Sequence, residues 1–248
     1  MLSLNNIPSL IISAACALLA LSIHEASHAF AAYKLGDDTA KNLGRLTINP
    51  IKHLDPFGVL CMVLFHFGWA KPVPINPRNF KSPRVGFAIS SLAGPLSNII
   101  TAVFSCLFFL LGLQFIVPPE NAFWYAVCEN TLLFLQTFTI LNLGLGVFNL
   151  IPLPPFDGSR IVNLLLPPRM YFKIMRYERY VYWGVIAWLF LGPYVADTLL
   201  SISFIANSPA LSFIASLFSL SDLISKAIAW LYYAILDLWA LLPFITII

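Results

Sequence analysis

Residues 85–119 contain no charged side chain, and a run of that kind restricts the fold more than any other feature of this sequence. A helix needs about twenty apolar residues to cross the hydrocarbon core of a bilayer, and buried core helices of soluble proteins are rarely so long and so uniformly apolar. Apolar runs with at most two Asp, Glu, Lys or Arg occupy 8–33, 123–148, 180–196 and 223–245. Hydrophobic residues make up 59% of the 248-residue chain and charged residues 10%, against roughly 25% charged in soluble domains. Mean hydropathy is +0.84. This much apolar surface needs lipid as its solvent, and in lipid only helices or closed barrels satisfy the backbone. The expectation is an α-helical polytopic membrane protein with about five transmembrane helices. It is read as one domain over 1–248, with a core over about 8–180 and an additional transmembrane region over 181–248. The first run has no basic region ahead of it and is read as a permanent span rather than a cleaved signal.

The charges are clustered. Eight of the fourteen Lys and Arg lie within 34–84, five within 160–179, and the last is Lys226. Clusters of this kind beside apolar spans mark the cytoplasmic side. The resulting path starts outside, enters at the 34–84 loop, exits at 118–121 and re-enters at 160–179, in a cell membrane. Nucleic-acid binding is excluded as a reading of the basic clusters, because no motif for it is present. Cys16, Cys61, Cys106 and Cys128 are isolated in apolar surroundings, which is neither a disulfide framework nor a zinc-finger spacing. Within the first loop, 57–69 is apolar but too short to span. Punctuated by Pro56, Gly58, Gly68 and Pro72, it is read as a re-entrant segment. Residues 201–220 are read as an interfacial helix or another hairpin.

The first span carries His24-Glu25-Ala26-Ser27-His28. On a helix, residues i and i+4 share a face, so two imidazoles can bind one Zn²⁺, with the intervening Glu placed as general base. Ionisable groups inside a span are costly and are usually functional. A catalytic zinc site needs a third protein ligand. His53, His66, Asp55, Glu129 and Asp157 are the candidates, and Asp157 is preferred. It follows the proline-broken end of the third span, precedes Gly158, and falls on the same side of the membrane as His28.

HEASH in a first span, followed downstream by Asn149-x-x-Pro152-x-Pro154-x-x-Asp157-Gly158, resembles the site-2 protease family of intramembrane metalloproteases. Asn49-Pro50-x-x-His53-x-Asp55-x-x-Gly58, Gly68-Trp69-Ala70-Lys71-Pro72-Val73-Pro74 and Ala93-Gly94-Pro95-x-x-Asn98 extend the resemblance over about residues 20–160. The compact bacterial-type branch, without PDZ or CBS domain, is the one it is most similar to. Residues beyond about 180 carry no motif of it. The resemblance implies one Zn²⁺ per chain held by His24, His28 and Asp157, with Glu25 as general base. It implies a re-entrant β-hairpin at 57–69 that pairs with an unwound segment of a membrane-protein substrate. Asn149 is read as a partner for the substrate backbone or the developing oxyanion, with capping at the proline break as its structural alternative. Asn98 is grouped with it as a substrate-binding candidate, although helix–helix hydrogen bonding is the preferred reading for that residue. Two other functions compete with regulated intramembrane proteolysis. A catalytically idle scaffold of the same fold is disfavoured by the intact His24, Glu25, His28 and Asp157. A metal oxidase or transporter is disfavoured by a total of four histidines. No oligomeric state follows from the sequence.

Overall fold

The structure is a computed structural model that describes residues 7–55, 57–58, 71–117, 119–202, 204, 207–216, 219–242 and 245. For 168, 171–175, 213, 215–216 and 221 it describes the backbone alone. The α-helices among the described residues are, in order, α1 (Ile7–Lys34), α2 (Thr39–Asn42), α3 (Pro83–Phe115), α4 (Ala122–Asn149), α5 (Gly158–Leu165), α6 (Pro168–Leu200), α7 (Pro209–Ser216) and α8 (Leu220–Ala240). Helices α1, α3, α4, α6 and α8 are long and apolar enough to cross a membrane, so the protein is a multi-pass membrane protein. Among the described residues there is no β-strand. The expected re-entrant hairpin lies outside the described residues from position 59 onward, together with Cys61 and His66.

The helix boundaries have local causes. Helix α1 ends where Gly36, at φ 103°, takes a left-handed conformation. Its N–H donates to the Tyr33 carbonyl at 3.1 Å, and the Asp37 N–H donates to that of Ala32 at 2.9 Å. This is a Schellman stop, which a residue with a Cβ would strain. Pro83 opens α3 at a position where a missing N–H costs nothing. Asn121 caps α4, its Oδ1 accepting from the Phe123 and Trp124 N–H groups at 2.9 and 3.3 Å. Helix α6 starts earlier than the expected span at 180. Its first turns hold Arg169, Lys173, Arg176 and Glu178, which are good helix formers that a hydropathy reading assigns to a loop. Within 201–219 the described residues include α7, whose eight residues are too short to span.

Helices α1, α3 and α4 form the core, and α3 shows how. Its buried face is small and polar: Ser90, Ser91, Gly94, Asn98, Ala102 and Ser105. Its exposed face is the i+4 series Leu92, Leu96, Ile100, Phe104, Phe108. A water-soluble helix would reverse these two faces. Here lipid takes the large side chains, and the small ones let helix backbones approach closely. Helix α8 closes the other end of the bundle: Ile235 packs with Ala102, Cys106, Leu110 and Leu143. Trp239 Nε1–H donates to the Val103 carbonyl at 3.0 Å.

Candidate active site

His24 and His28 lie one turn apart on α1, and both are buried. Their rings face the Ser90, Gly94, Asn98 ridge of α3, which also repeats every fourth residue. At Gly94 there is no room for a side chain. A Cβ there would fall on the His28 ring and within 2.8 Å of His24 Cε1. Pro95, next in line, has no N–H, so no helical bond closes onto the Ser91 carbonyl. In that same turn the Ser90 carbonyl accepts from His28 Nδ1–H at 2.7 Å.

The His24 tautomer follows from a chain of amides. Asn142 Nδ2 donates to the Phe138 carbonyl at 2.8 Å, so its Oδ1 is the end that accepts from Asn98 Nδ2 at 2.7 Å. Asn98 Nδ2 also reaches the Ala20 carbonyl at 3.2 Å, which leaves Asn98 Oδ1 to accept from His24 Nδ1–H at 2.6 Å. Both histidines therefore commit Nδ1–H outward and present Nε2 inward. Such outer hydrogen bonds fix the tautomer and aim of metal-binding imidazoles.

Asp157 meets them from the other side. The chain turns sharply after α4 through Pro152, Pro154 and Pro155, with a cis bond between the last two. Gly158 is pressed against the Leu150 and Ile151 carbonyls so closely that a Cβ would collide with both. Asp157 Oδ2 lies 3.2 Å from Nε2 of each histidine, and the two Nε2 atoms are 3.0 Å apart. Three lone-pair atoms at these distances repel one another unless a proton or a cation lies between them. With protons there, burial pushes the Asp157 carboxyl up, but its hydrogen bonds with the two imidazoles outweigh this and hold it down at about 2. A metal fits equally well. Zn–N bonds of about 2.0–2.1 Å in a tetrahedron put ligand atoms about 3.3 Å apart. Among the described residues these three form the one such ligand group.

The remaining sequence candidates stand elsewhere. His53 Nε2–H donates to the Thr47 carbonyl at 2.7 Å. Asp55 Oδ1 accepts from the Phe57 and Gly58 N–H groups at 2.8 and 3.0 Å. Glu129 is exposed on α4. Asn149 ends α4, its Nδ2 on the Leu145 carbonyl at 2.9 Å, and it lines the cavity of about 370 Å³ that holds His24, Glu25, His28 and Asp157. Asn98 is fully buried behind His24.

Two features of the site were not singled out from sequence. Glu25 Oε2 accepts from the Val73 N–H at 2.8 Å. Because Pro72 and Pro74 have no N–H, Val73 supplies the only amide donor of that tripeptide. Arg160 also lines the cavity. It sits three residues after Asp157, a spacing that puts both on one side of the same turn.

A family model described as peptidase family M50 matches residues 124–192, a range that includes Asp157 and begins after His28. Three curated relatives are similar to the chain. YwhC of Bacillus subtilis, provisionally named a zinc metalloprotease, is 45% identical over 174 residues, covering 70% of this chain and 76% of the relative. Rip2 of Mycolicibacterium smegmatis, provisionally named in the same way, is 33% identical over 158 residues, 61% of this chain and 56% of the relative. The zinc metalloprotease MJ0392 of Methanocaldococcus jannaschii is 33% identical over 86 residues, 35% and 22% of the two chains. No solved structure matches the chain.

Proposed function

The chain belongs to peptidase family M50, the site-2 proteases, and we propose that this multi-pass zinc metalloprotease is an endopeptidase that cuts transmembrane or juxtamembrane segments of other membrane proteins. One observation supports the reading: the His24, Glu25, His28 group lies within a helix long and apolar enough to cross a membrane, so a substrate would come to it in or beside the bilayer.

His24, His28 and Asp157 hold the zinc, and Asn98 and the Ser90 carbonyl keep the two imidazoles aimed. Held there, zinc would supply a Lewis acid that brings the pKa of a water molecule to about 7. Glu25 takes the proton from the attacking water and returns it to the departing amine. The Val73 N–H holds one Glu25 oxygen and leaves the other for that proton. Asn149, at the cavity wall, is placed to hydrogen-bond the substrate backbone or the developing oxyanion.

Residues 57–69 are proposed to re-enter the membrane as a hairpin and to pair with the unwound substrate. In support, residues that flank this segment are tied together, the Lys71 N–H donating to the His53 carbonyl at 2.8 Å. The clustered Lys and Arg support an active site toward the cytoplasmic face of a bacterial cell membrane. The 181–248 region is read as an addition to a catalytic core over about 8–180.

The test uses purified protein and a transmembrane peptide substrate. Glu25→Gln should keep zinc and lose at least about 100-fold in cleavage, because an amide cannot take the proton. Asp157→Ala should lose zinc and cleavage together, whereas Asp55→Ala should keep its zinc. Near wild-type cleavage by Glu25→Gln would remove the assignment of Glu25 as general base.

A further inference from the structure

We propose that a second cavity, beside the metal cluster, is a specificity subsite that takes an acidic side chain, Asp or Glu, from the substrate segment close to the scissile bond. This deepens the protease reading above and rests on it. The cavity has a volume of about 300 Å³. Ile75, Phe87 and Arg160 border both it and the catalytic cavity. An extended substrate advances about 3.3 Å per residue, so a side chain one or two positions from the cleaved bond reaches it.

The walls are built for a short apolar stem with an anionic tip. Ile75, Pro77, Phe87 and Leu164 supply the apolar sides. Asn163 supplies a polar group that is otherwise wasted: the residue is 5% exposed, yet its Nδ2 has no hydrogen-bond partner. A buried amide donor left alone is costly, and one that meets a carboxylate becomes a charge-assisted bond. Two cations flank it. Arg84 Nη2 donates to the Asn163 and Leu166 carbonyls at 2.6 and 2.7 Å, which fixes the end of α5. Arg160 bonds Glu178 at 2.8 Å and lies 5.2 Å from the Phe87 ring centre. Each guanidinium is thus anchored at the wall. Among the described residues no Asp or Glu lines the cavity. An acid in the subsite satisfies Asn163 and meets favourable charge, Gln satisfies Asn163 alone, Ala satisfies neither, and Lys is repelled. A lipid phosphate has related chemistry, but the shared border with the catalytic cavity favours the substrate.

The experiment gives the zinc-loaded enzyme, in neutral detergent micelles, a transmembrane peptide library randomised at the three positions on each side of the cleaved bond. Products are read by mass spectrometry, and zinc content is measured for every variant. The wild-type enzyme should enrich Asp and Glu over Ala about tenfold at one position. Asn163→Asp should move the preference there to Gln and Lys, and Asn163→Leu should erase it, both with zinc retained. Cleavage without acidic preference, or a preference that survives Asn163→Asp, would overturn the subsite and leave the protease reading standing. The absence of all cleavage by the wild-type enzyme would remove both. A second arm adds phosphatidylglycerol. Stimulation lost in Asn163→Asp, with no acidic preference in the library, would assign the cavity to a lipid headgroup and overturn the proposal.

Discussion

Gly94 is the residue on which the His24 and His28 rings rest. Two imidazoles pack against its bare Cα, and a methyl group there would overlap the His28 ring. Neither ring can retreat, since each is held from behind by a hydrogen bond, to the Ser90 carbonyl and to Asn98. Gly94→Ala should therefore displace both Nε2 atoms, lower zinc content and reduce peptide cleavage by about 100-fold or more. Gly144 is the control, because the nearest atom to a Cβ there is Ile228 Cδ1 at an ordinary 3.6 Å. Gly144→Ala should keep its zinc and activity, and metal analysis with a cleavage assay reads both variants. Asn98 shows what single residues leave open in a sequence. Read alone, it favours helix glue and leaves substrate binding open. Its three buried partners, His24, Ala20 and Asn142, are separated from it by 44 to 78 positions, and nothing local announces them.

Among the elements, a buried carboxylate ties α1 to the far end of the loop segment that carries Val73. Asp37 is fully buried and accepts from the Thr39 N–H and Oγ1–H at 3.1 and 2.5 Å. It also accepts from the Asn76 N–H and Asn79 Nδ2–H, both at 2.7 Å, and so ties the end of α1 to residues 76–79. Burial pushes this carboxyl up, but the hydrogen bonds from Thr39, Asn76 and Asn79 outweigh it and hold the group below the usual range. A depressed acid contributes stability that is present above its unfolded value of about 3.9 and is lost as pH falls through the lower folded value. Asp37→Ala should cost about 2 kcal/mol or more in detergent-solubilised unfolding. It should also slow cleavage with zinc retained, because a loosened 71–79 segment no longer holds Glu25. In the wild-type protein the same contribution should fade below about pH 4. Helix α6 illustrates the limit of reading elements by hydropathy. The lipid-embedded part is visible, whereas the first turns from Pro168 are helical by propensity and wear charges that look like a loop.

Over the whole molecule, the arrangement of charge predicts a sidedness. In a chain whose native cysteines are replaced, single cysteines at Lys41 and Arg169 should react with an impermeant maleimide only from the cytoplasmic side, and one at Asn121 only from outside. Lys41, Arg169 and Asn121 are all exposed. Labelling of Lys41 and Asn121 from the same side would break the crossing order of α1 and α3. The number of spans and the chemistry carried by HEASH were legible in the sequence alone, because both depend on short-range spacing: uninterrupted apolar length in one case and a four-residue helical repeat in the other. Asp157 was legible as the preferred partner of the two histidines among five candidates, through the proline-broken turn and the glycine that follows it. Tertiary structure alone decided the convergence of Asp157 with two histidines more than 125 positions away, the seat that Gly94 offers them, and the Val73 N–H on Glu25. These depend on how closely α1, α3 and α4 approach. That distance is set by small side chains on facing ridges, and it becomes visible only when the helices are packed.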